Sequence, residues 1–216
     1  LACTYRLERQ ARTRGFRNIA GTDEAGRGCL FGPVWAAAVI LDPGQPIRGL
    51  NDSKQLDPET REQLAQEVRR KAVAWATAQV DARVIDRINI YQASRLAMKL
   101  ALEKLPAVPD YVLVDALELD TPITQRAVIH GDALSRSIAA ASILAKVDRD
   151  ASMWEWDRCY PGYGFTRHKG YCTPEHLQAL ADLGPTPHHR FSYFPVRVAA
   201  GLEPQQLDLF AGQQPQ

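Results

Sequence analysis

Apolar positions along the chain repeat with two periods, one of strands and one of helices. Ile19 to Ala25 reads as a strand, and Val34 to Leu41 is an apolar, branched run of strand length after a glycine-rich turn, so the two predict a hairpin. Asp57 followed by Pro58 has the form of a helix start, a cap and then a first-turn proline. Leu64, Val68 and Ala72, at steps of four, give that helix an inner face and carry it to about Lys71. Val73 to Val80 predicts a third strand. Asn89 to Leu105 predicts a helix with Leu96, Leu100 and Ala101 at helical spacing, stopped by Pro106. Tyr111 to Val114 is a short apolar run ending at Asp115, read as a buried strand, and Arg126 to Ile129 is a weaker one. Ser135 opens a long helix reaching about Trp156, whose run of small residues allows close packing on a sheet. Strands first, then strand and helix in alternation, predict an α/β domain with a mixed sheet.

Composition narrows the class. The chain has 216 residues and is 45% hydrophobic, enough for a sizeable core. It has no run of 18 apolar residues, and its first residues lack a signal-peptide layout, so a soluble, cytoplasmic protein is expected. Four cysteines lie far apart with no Cys-x-x-Cys pair, which fits a reducing compartment. Lys and Arg number 26 against 25 Asp and Glu, so any nucleic-acid surface must be local rather than global. Between residues 6 and 17, Arg6, Arg9, Arg12, Arg14 and Arg17 face one acid, Glu8; residues 1–18 are read as a solvated basic arm in preference to a set of phosphate contacts. No internal repeat is visible, and residues 201–216 form a polar, Gln-rich tail expected to be disordered.

The most informative segment is Gly21-Thr-Asp23-Glu24-Ala-Gly26-Arg27-Gly28, where two adjacent acids interrupt an apolar strand. Buried carboxylates are costly unless paired, protonated or bound to a metal, and neighbouring strand positions face opposite sides, so structure alone gains little from both. Asp115 ends its apolar strand and Asp132 follows the Val128-Ile-His-Gly run, and strand ends of an α/β sheet are where ligand crevices form. If the four acids converge, hard oxygen ligands in that number suit Mg2+ or Mn2+. Two such ions roughly 3.5–4 Å apart stabilise the attacking and leaving oxygens of phosphodiester hydrolysis. Spacing alone leaves a second reading equally open: Asp115 and Asp132 as loop caps and Glu24 as an ion-pair partner. Gly26, Gly28 and Gly32 are a near miss to a dinucleotide-binding loop, discounted because a strand rather than a helix follows. His168, His176, His188 and His189 lack tight metal spacing and are assigned surface or structural roles. The four tryptophans, Trp35, Trp75, Trp154 and Trp156, are read as core, and Asp150 as the ion-pair partner of Lys146.

Several motifs together resemble the ribonuclease HII family over roughly residues 19 to 195. They are Asp23-Glu24-Ala-Gly26-Arg27-Gly28, Leu50-Asn-Asp52-Ser53-Lys54, Gly131-Asp132 with Ser137 through Asp150, and Gly162-Tyr163-Gly164-Phe165 with His168-Lys169-Gly170-Tyr171-Cys-Thr173. The resemblance implies a ribonuclease H-like fold, a five-stranded mixed sheet flanked by helices with a small helical C-terminal part, over residues 19–200. It implies Asp23, Glu24, Asp115 and Asp132 as catalytic ligands of two Mn2+ or Mg2+ ions. The implied activity is that of a monomeric endoribonuclease cutting RNA–DNA hybrids, and DNA duplexes on the 5′ side of an embedded ribonucleotide, leaving 3′-hydroxyl and 5′-phosphate ends. Gly26, Arg27, Gly28 and Tyr171 would sense the ribose 2′-hydroxyl, and Ser53, Lys54, Ser142 and Lys146 would meet phosphates. Two other readings share the acids: a junction resolvase of similar fold, and a non-catalytic hybrid-binding protein. In the tail, Gln206, Leu207, Leu209 and Phe210 resemble the short peptide with which bacterial repair proteins bind the DNA sliding clamp, the alternative being a tail packed on its own domain.

Overall fold

The computed structural model describes residues 3–202; the tail assignment to Gln206, Leu207, Leu209 and Phe210 lies outside the described residues. Its centre is a five-stranded sheet in the order β3-β2-β1-β4-β5. The strands are β1 (Ile19–Ala25), β2 (Val34–Ile40), β3 (Ala74–Val80), β4 (Tyr111–Asp115) and β5 (Thr124–Val128). β1, β2 and β3 pair antiparallel; β1, β4 and β5 pair parallel, so the sheet is mixed. The predicted hairpin is β1 and β2. The weakest predicted strand starts two residues earlier than expected and ends one earlier, and near its start Gln125 exchanges hydrogen bonds with the backbone of Leu119 (2.7 and 2.8 Å).

Helices cover both faces. α2 (Pro58–Lys71) begins as predicted, with Asp57 Oδ1 accepting the Thr60 N–H at 2.9 Å, and buries Leu64, Ala65 and Val68. It shares a core with the alanine-rich start of α4 (Arg136–Cys159) against β2. Ser135 caps α4. α3 (Ala82–Glu103) covers the opposite face of the sheet. It starts seven residues before the predicted Asn89, because Asp81 supplies the first cap. Asn89 breaks the helix at φ 65° and caps the second stretch through Gln92 N–H at 3.1 Å, so the sequence shows a genuine cap inside a longer element.

The basic segment is helical rather than a free arm. α1 (Arg6–Thr13) buries Ala11 and Glu8 while Arg6, Arg9, Arg14 and Arg17 stay exposed. Glu8 Oε1 accepts the Ser137 N–H at 2.9 Å and the Ser135 hydroxyl at 2.6 Å, placing a carboxylate at the positive N-terminus of α4. Glu8 thus ties the helix to α4, and Asp110 holds the end of the segment by accepting the Arg17 N–H at 2.8 Å, despite the arginines around them.

Short helices α5 (Phe165–His168), α6 (Pro174–Leu183) and α7 (Phe194–Ala199) form the C-terminal part around Phe31, Phe165, Met153 and Leu180. Phe31 stacks on Phe165 at 3.8 Å between ring centres. Three histidines expected on the surface or in structural roles, His168, His176 and His189, are buried here. Trp154, expected in the core, is exposed on α4, with Lys169 Nζ 5.4 Å from its ring centre. Burial pushes His176 down to about 4, with the charge of His168 adding to it, and His189 to about 3, with the charge of His176 adding to it. Both are therefore neutral in the folded chain. Unfolding restores their ordinary value near 6.5, so the unfolded chain binds more protons below that pH and stability falls as pH drops from about 6.5 toward 4. The acidic cluster described below works in the opposite sense, so the comparison is with a variant carrying His176→Asn and His189→Gln. The melting-temperature advantage of the parent over that variant is expected to shrink by the equivalent of about 6 kcal/mol, about 3 for each ring, between pH 7 and pH 4. An advantage independent of pH would show that burial does not hold these rings neutral.

Candidate active site

The parallel pairing of β1 with β4 aligns Thr22 with Val114, so Asp23 and Asp115 sit side by side one step further on, at the C-terminal ends of neighbouring strands. Asp115 is itself aligned with Val128 at the end of β5, and the chain then turns through His130 into a single 3₁₀ turn, Gly131–Ala133, carrying Asp132. All four sequence-predicted acids thus gather where the strand directions diverge around β1. Asp115 Oδ1 accepts the Gly131 N–H at 2.7 Å and Asp132 Oδ1 the Ala133 N–H at 2.9 Å, so each carboxylate is oriented by backbone. Ala116 and His130, in the two loops that present these acids, hold φ of 51° and 55°, a strained setting for residues with side chains.

The electrostatics are those of negative charges crowded out of water. Asp23 is almost fully buried, and desolvation, then the charges of Glu24 and Asp115, hold its carboxyl well above the usual range. Desolvation likewise raises Glu24, Asp115 and Asp132, with the charge of Asp115 adding to Glu24 and those of Asp52 and Asp115 to Asp132. The cations nearby are Arg27, 3.4 Å from Glu24 Oε1, and the exposed Lys54. Glu24 Oε2 is buried without a hydrogen-bond partner. Repelling carboxylates with an orphaned oxygen fit a divalent cation, which removes both costs. Among the described residues no three acid, His or Cys side chains are already drawn close enough together to hold a metal ion. An open set suits Mg2+ or Mn2+, which keep much of their water and take few protein ligands.

A second group of predicted residues forms a wall beside the acids. Gly26, at φ 90°, lies against Arg149 so closely that a Cβ would stand 2.1 Å from Nε. The Arg149 guanidinium donates to the Lys169 carbonyl at 2.6 Å and sits 5.2 Å from the Tyr171 ring centre. Cys29, one residue past Gly28, pairs with Tyr171 in an isolated antiparallel bridge. Burial is the main force raising the Tyr171 hydroxyl to about 12. Arg190, fully buried, donates to the Arg27 carbonyl at 2.8 Å and the Gly32 carbonyl at 3.0 Å, and Tyr193 also donates to Arg27 O. The Gly26-Arg27-Gly28 turn and Tyr171 are therefore one assembled surface.

The expected phosphate contacts divide. Lys54 is exposed near the acids. Ser53 and Ser142 are buried, their hydroxyls 3.0 Å apart, and Ser142 also bonds Asp23, so they join the Lys54 loop to α4 below the surface. Lys146 is ion-paired with Asp150 at 2.8 Å, as the four-residue spacing indicated, and lies 5.1 Å from the Tyr171 ring centre. Sequence reasoning gave no role to Arg149, Arg190, Tyr193 or Asp52. Arg149 carried a readable signal, since it lies seven residues after Ser142 and three after Lys146 on the same helix face; Arg190 and Tyr193 carried none, because only the tertiary fold brings them to Arg27.

The chain is similar in sequence and in fold to known ribonucleases. The family model for ribonuclease HII matches residues 20–196. A ribonuclease HII of Solibacter usitatus is 57% identical over 211 residues, covering 96% of this chain and 92% of its own. The crystal structure of ribonuclease H2 from Pyrococcus horikoshii superposes with a TM-score of 0.73 at 26% identity, covering 86% of this chain and 98% of its own. That of Bst-RNase HIII, in complex with Mn2+, gives 0.66 at 18% identity over 85% of this chain and 69% of its own. Among the described residues no helix is long and apolar enough to cross a membrane. With its mixed five-stranded sheet and converging acids, the chain belongs to the ribonuclease HII family of metal-dependent endoribonucleases that act on RNA–DNA hybrids.

Proposed function

We propose that this chain incises DNA duplexes on the 5′ side of an embedded ribonucleotide as well as RNA–DNA hybrids, using Asp23, Glu24, Asp115 and Asp132 as ligands of two Mn2+ or Mg2+ ions. The observation that carries the reading is the shared wall of Gly26-Arg27-Gly28 and Tyr171, joined through Arg149 and standing beside the acids through the Arg27–Glu24 pair. Distinguishing RNA from DNA at one nucleotide requires contact with the 2′-hydroxyl, which both donates and accepts. The glycine turn lets main-chain groups approach that hydroxyl, and Tyr171 offers a hydroxyl and a ring face to it and to the next sugar. When bound, the ions activate water and stabilise the leaving 3′-oxygen. The backbone bonds from Gly131 and Ala133 orient two of the carboxylates in advance, and Lys54 meets a phosphate of the incoming strand. The Mn2+ complex of Bst-RNase HIII supports the choice of ion. We also propose Gln206, Leu207, Leu209 and Phe210 as a contact for the sliding clamp, on the sequence pattern alone.

A labelled DNA duplex with one ribonucleotide, incubated in Mg2+ and in Mn2+, is expected to give a single cut 5′ of that nucleotide. Tyr171→Ala should lower this cutting by about tenfold or more, the scale of a positioned contact, while hybrid binding changes less than about twofold. Cutting confined to long hybrids would remove the sensor role, and equal loss of cutting and binding would make Tyr171 structural.

A further inference from the structure

Three buried histidines lie behind Tyr171, and their partners admit one arrangement of protons. The Nδ1 of His189 receives the Thr186 N–H at 2.9 Å and lies 3.0 Å from its hydroxyl, so its own proton is on Nε2. That nitrogen is 3.1 Å from Nε2 of His176. His189 is therefore the donor and His176 the acceptor, leaving the His176 proton on Nδ1, where it is donated to the Tyr171 carbonyl at 2.9 Å. A charged ring at either position would set two N–H groups against each other. His168 is fixed independently: its Nδ1 accepts the Gly170 N–H at 3.1 Å, its Nε2 donates to the Tyr163 carbonyl at 2.8 Å, and its ring stacks on His176 at 4.4 Å. The hydrogen bonds thus run in one direction, from the Thr186 backbone through two rings to the backbone of Tyr171.

The next residue along the chain completes the geometry. Arg190 holds the other half of the wall through the Arg27 and Gly32 carbonyls, and its own N–H donates to Leu30 O at 2.8 Å while His189 is bridged to Phe31. A single dipeptide, His189-Arg190, therefore extends one side chain toward each half.

We propose that His189 and His176 are positioning residues for ribose recognition, which with Arg190 fix the separation between the Gly26-Arg27-Gly28 turn and Tyr171. The inference rests on the sensor role given to those residues above. Neither histidine touches substrate or the acids; each acts through the main chain at Tyr171. Low basicity, set chiefly by burial, keeps both rings neutral as the arrangement requires.

The test uses the full chain and three variants, His176→Leu, His176→Asn and Tyr171→Ala. The Asn amide nitrogen overlays the imidazole Nδ1, so it restores the donor to the Tyr171 carbonyl without restoring the ring. We expect His176→Leu to lower kcat/KM on the one-ribonucleotide duplex about tenfold with the Kd for an all-DNA duplex unchanged, and His176→Asn to recover most of that loss. Nitrogen NMR of the unmutated chain should show His176 protonated at Nδ1 and His189 at Nε2, a readout that does not depend on variant folding. Opposite tautomers, wild-type kcat/KM in the Leu variant, or equal loss in the Leu and Asn variants would each overturn the relay. If Tyr171→Ala cuts at the wild-type rate, the sensor reading itself fails; if it loses activity while His176→Leu does not, the sensor stands and the relay falls.

Discussion

Asp132→Asn is expected to fold as the parent does and to lose cleavage by a factor on the order of 10³ or more, the scale at which electrostatic stabilisation of a transition state is usually lost. The amide is isosteric, and its oxygen can still accept the Ala133 N–H that orients the parent carboxylate. What it removes is negative charge at a position already crowded by Asp52 and Asp115. The two effects therefore separate: metal affinity and turnover fall, while Tm is unchanged or rises by up to about 4 °C, the shift that ~1 kcal/mol produces in a domain of this size. Asp23→Asn should behave alike, because burial and two neighbouring carboxylates already disfavour its charge. Cleavage assays on the one-ribonucleotide duplex, with thermal melts of the same samples, check both halves. Turnover near the parent's would remove Asp132 from the ligand set; loss of folding would make it a structural cap, the reading that spacing alone left open.

The second large effect concerns stability. Gly21 lies mid-way along β1, paired with Val39 on one side and Leu113 on the other. A Cβ there would stand 2.1 Å from the Ser137 carbonyl carbon and 2.4 Å from the Ile138 nitrogen. Both atoms are backbone at the start of α4, so no side chain can swing aside and the helix must move off the sheet. Gly21→Ala should cost at least about 3 kcal/mol, at the upper end of overpacking penalties, lowering Tm by roughly 6–12 °C. Displacing α4 also disturbs the Glu8 contacts at its N-terminus and the turn that carries Asp132, so activity should fall with stability. Gly28 is the control: nothing lies within 4 Å of a Cβ built there, and Gly28→Ala should melt with the parent. A Gly21→Ala chain that melts within about 1 °C of the parent would mean that α4 yields without cost.

The sequence revealed elements whose signals are local and missed those settled by distant partners. Asp57 with Pro58 marks a helix start within two residues, and its cap is found as read. Asn89 also caps a helix, but the chain was already helical from Ala82, so a correct local reading gave a wrong boundary. The arginines of residues 6–17 outweighed Glu8 in the count of charges, whereas in the fold Glu8 decides, because its partners at Ser135 and Ser137 lie some 130 positions away. Asp23 and Glu24 stood out because they interrupt an apolar strand, whereas Asp115 and Asp132, at and beyond strand ends, could be read from spacing as loop caps and were singled out as ligands by the family resemblance. Arg190 and the paired histidines behind the candidate sensor were not legible, since neither spacing nor composition announces a guanidinium aimed at a carbonyl more than 160 positions off.

The parallel alignment of β1 with β4 also governs when during folding the chain becomes competent. Asp23 and Asp115 are neighbours across the sheet but about ninety residues apart along the chain, so the acids meet only after a long loop has closed, the slow kind of contact. β1, β2 and β3 form an antiparallel meander that can pair before β4 has been made by the ribosome. A nascent chain at that stage holds Asp23 and Glu24 without Asp115 and Asp132, half of the proposed ligand set. With that ligand set, cleavage is expected only of a chain whose β1–β4 pairing is complete.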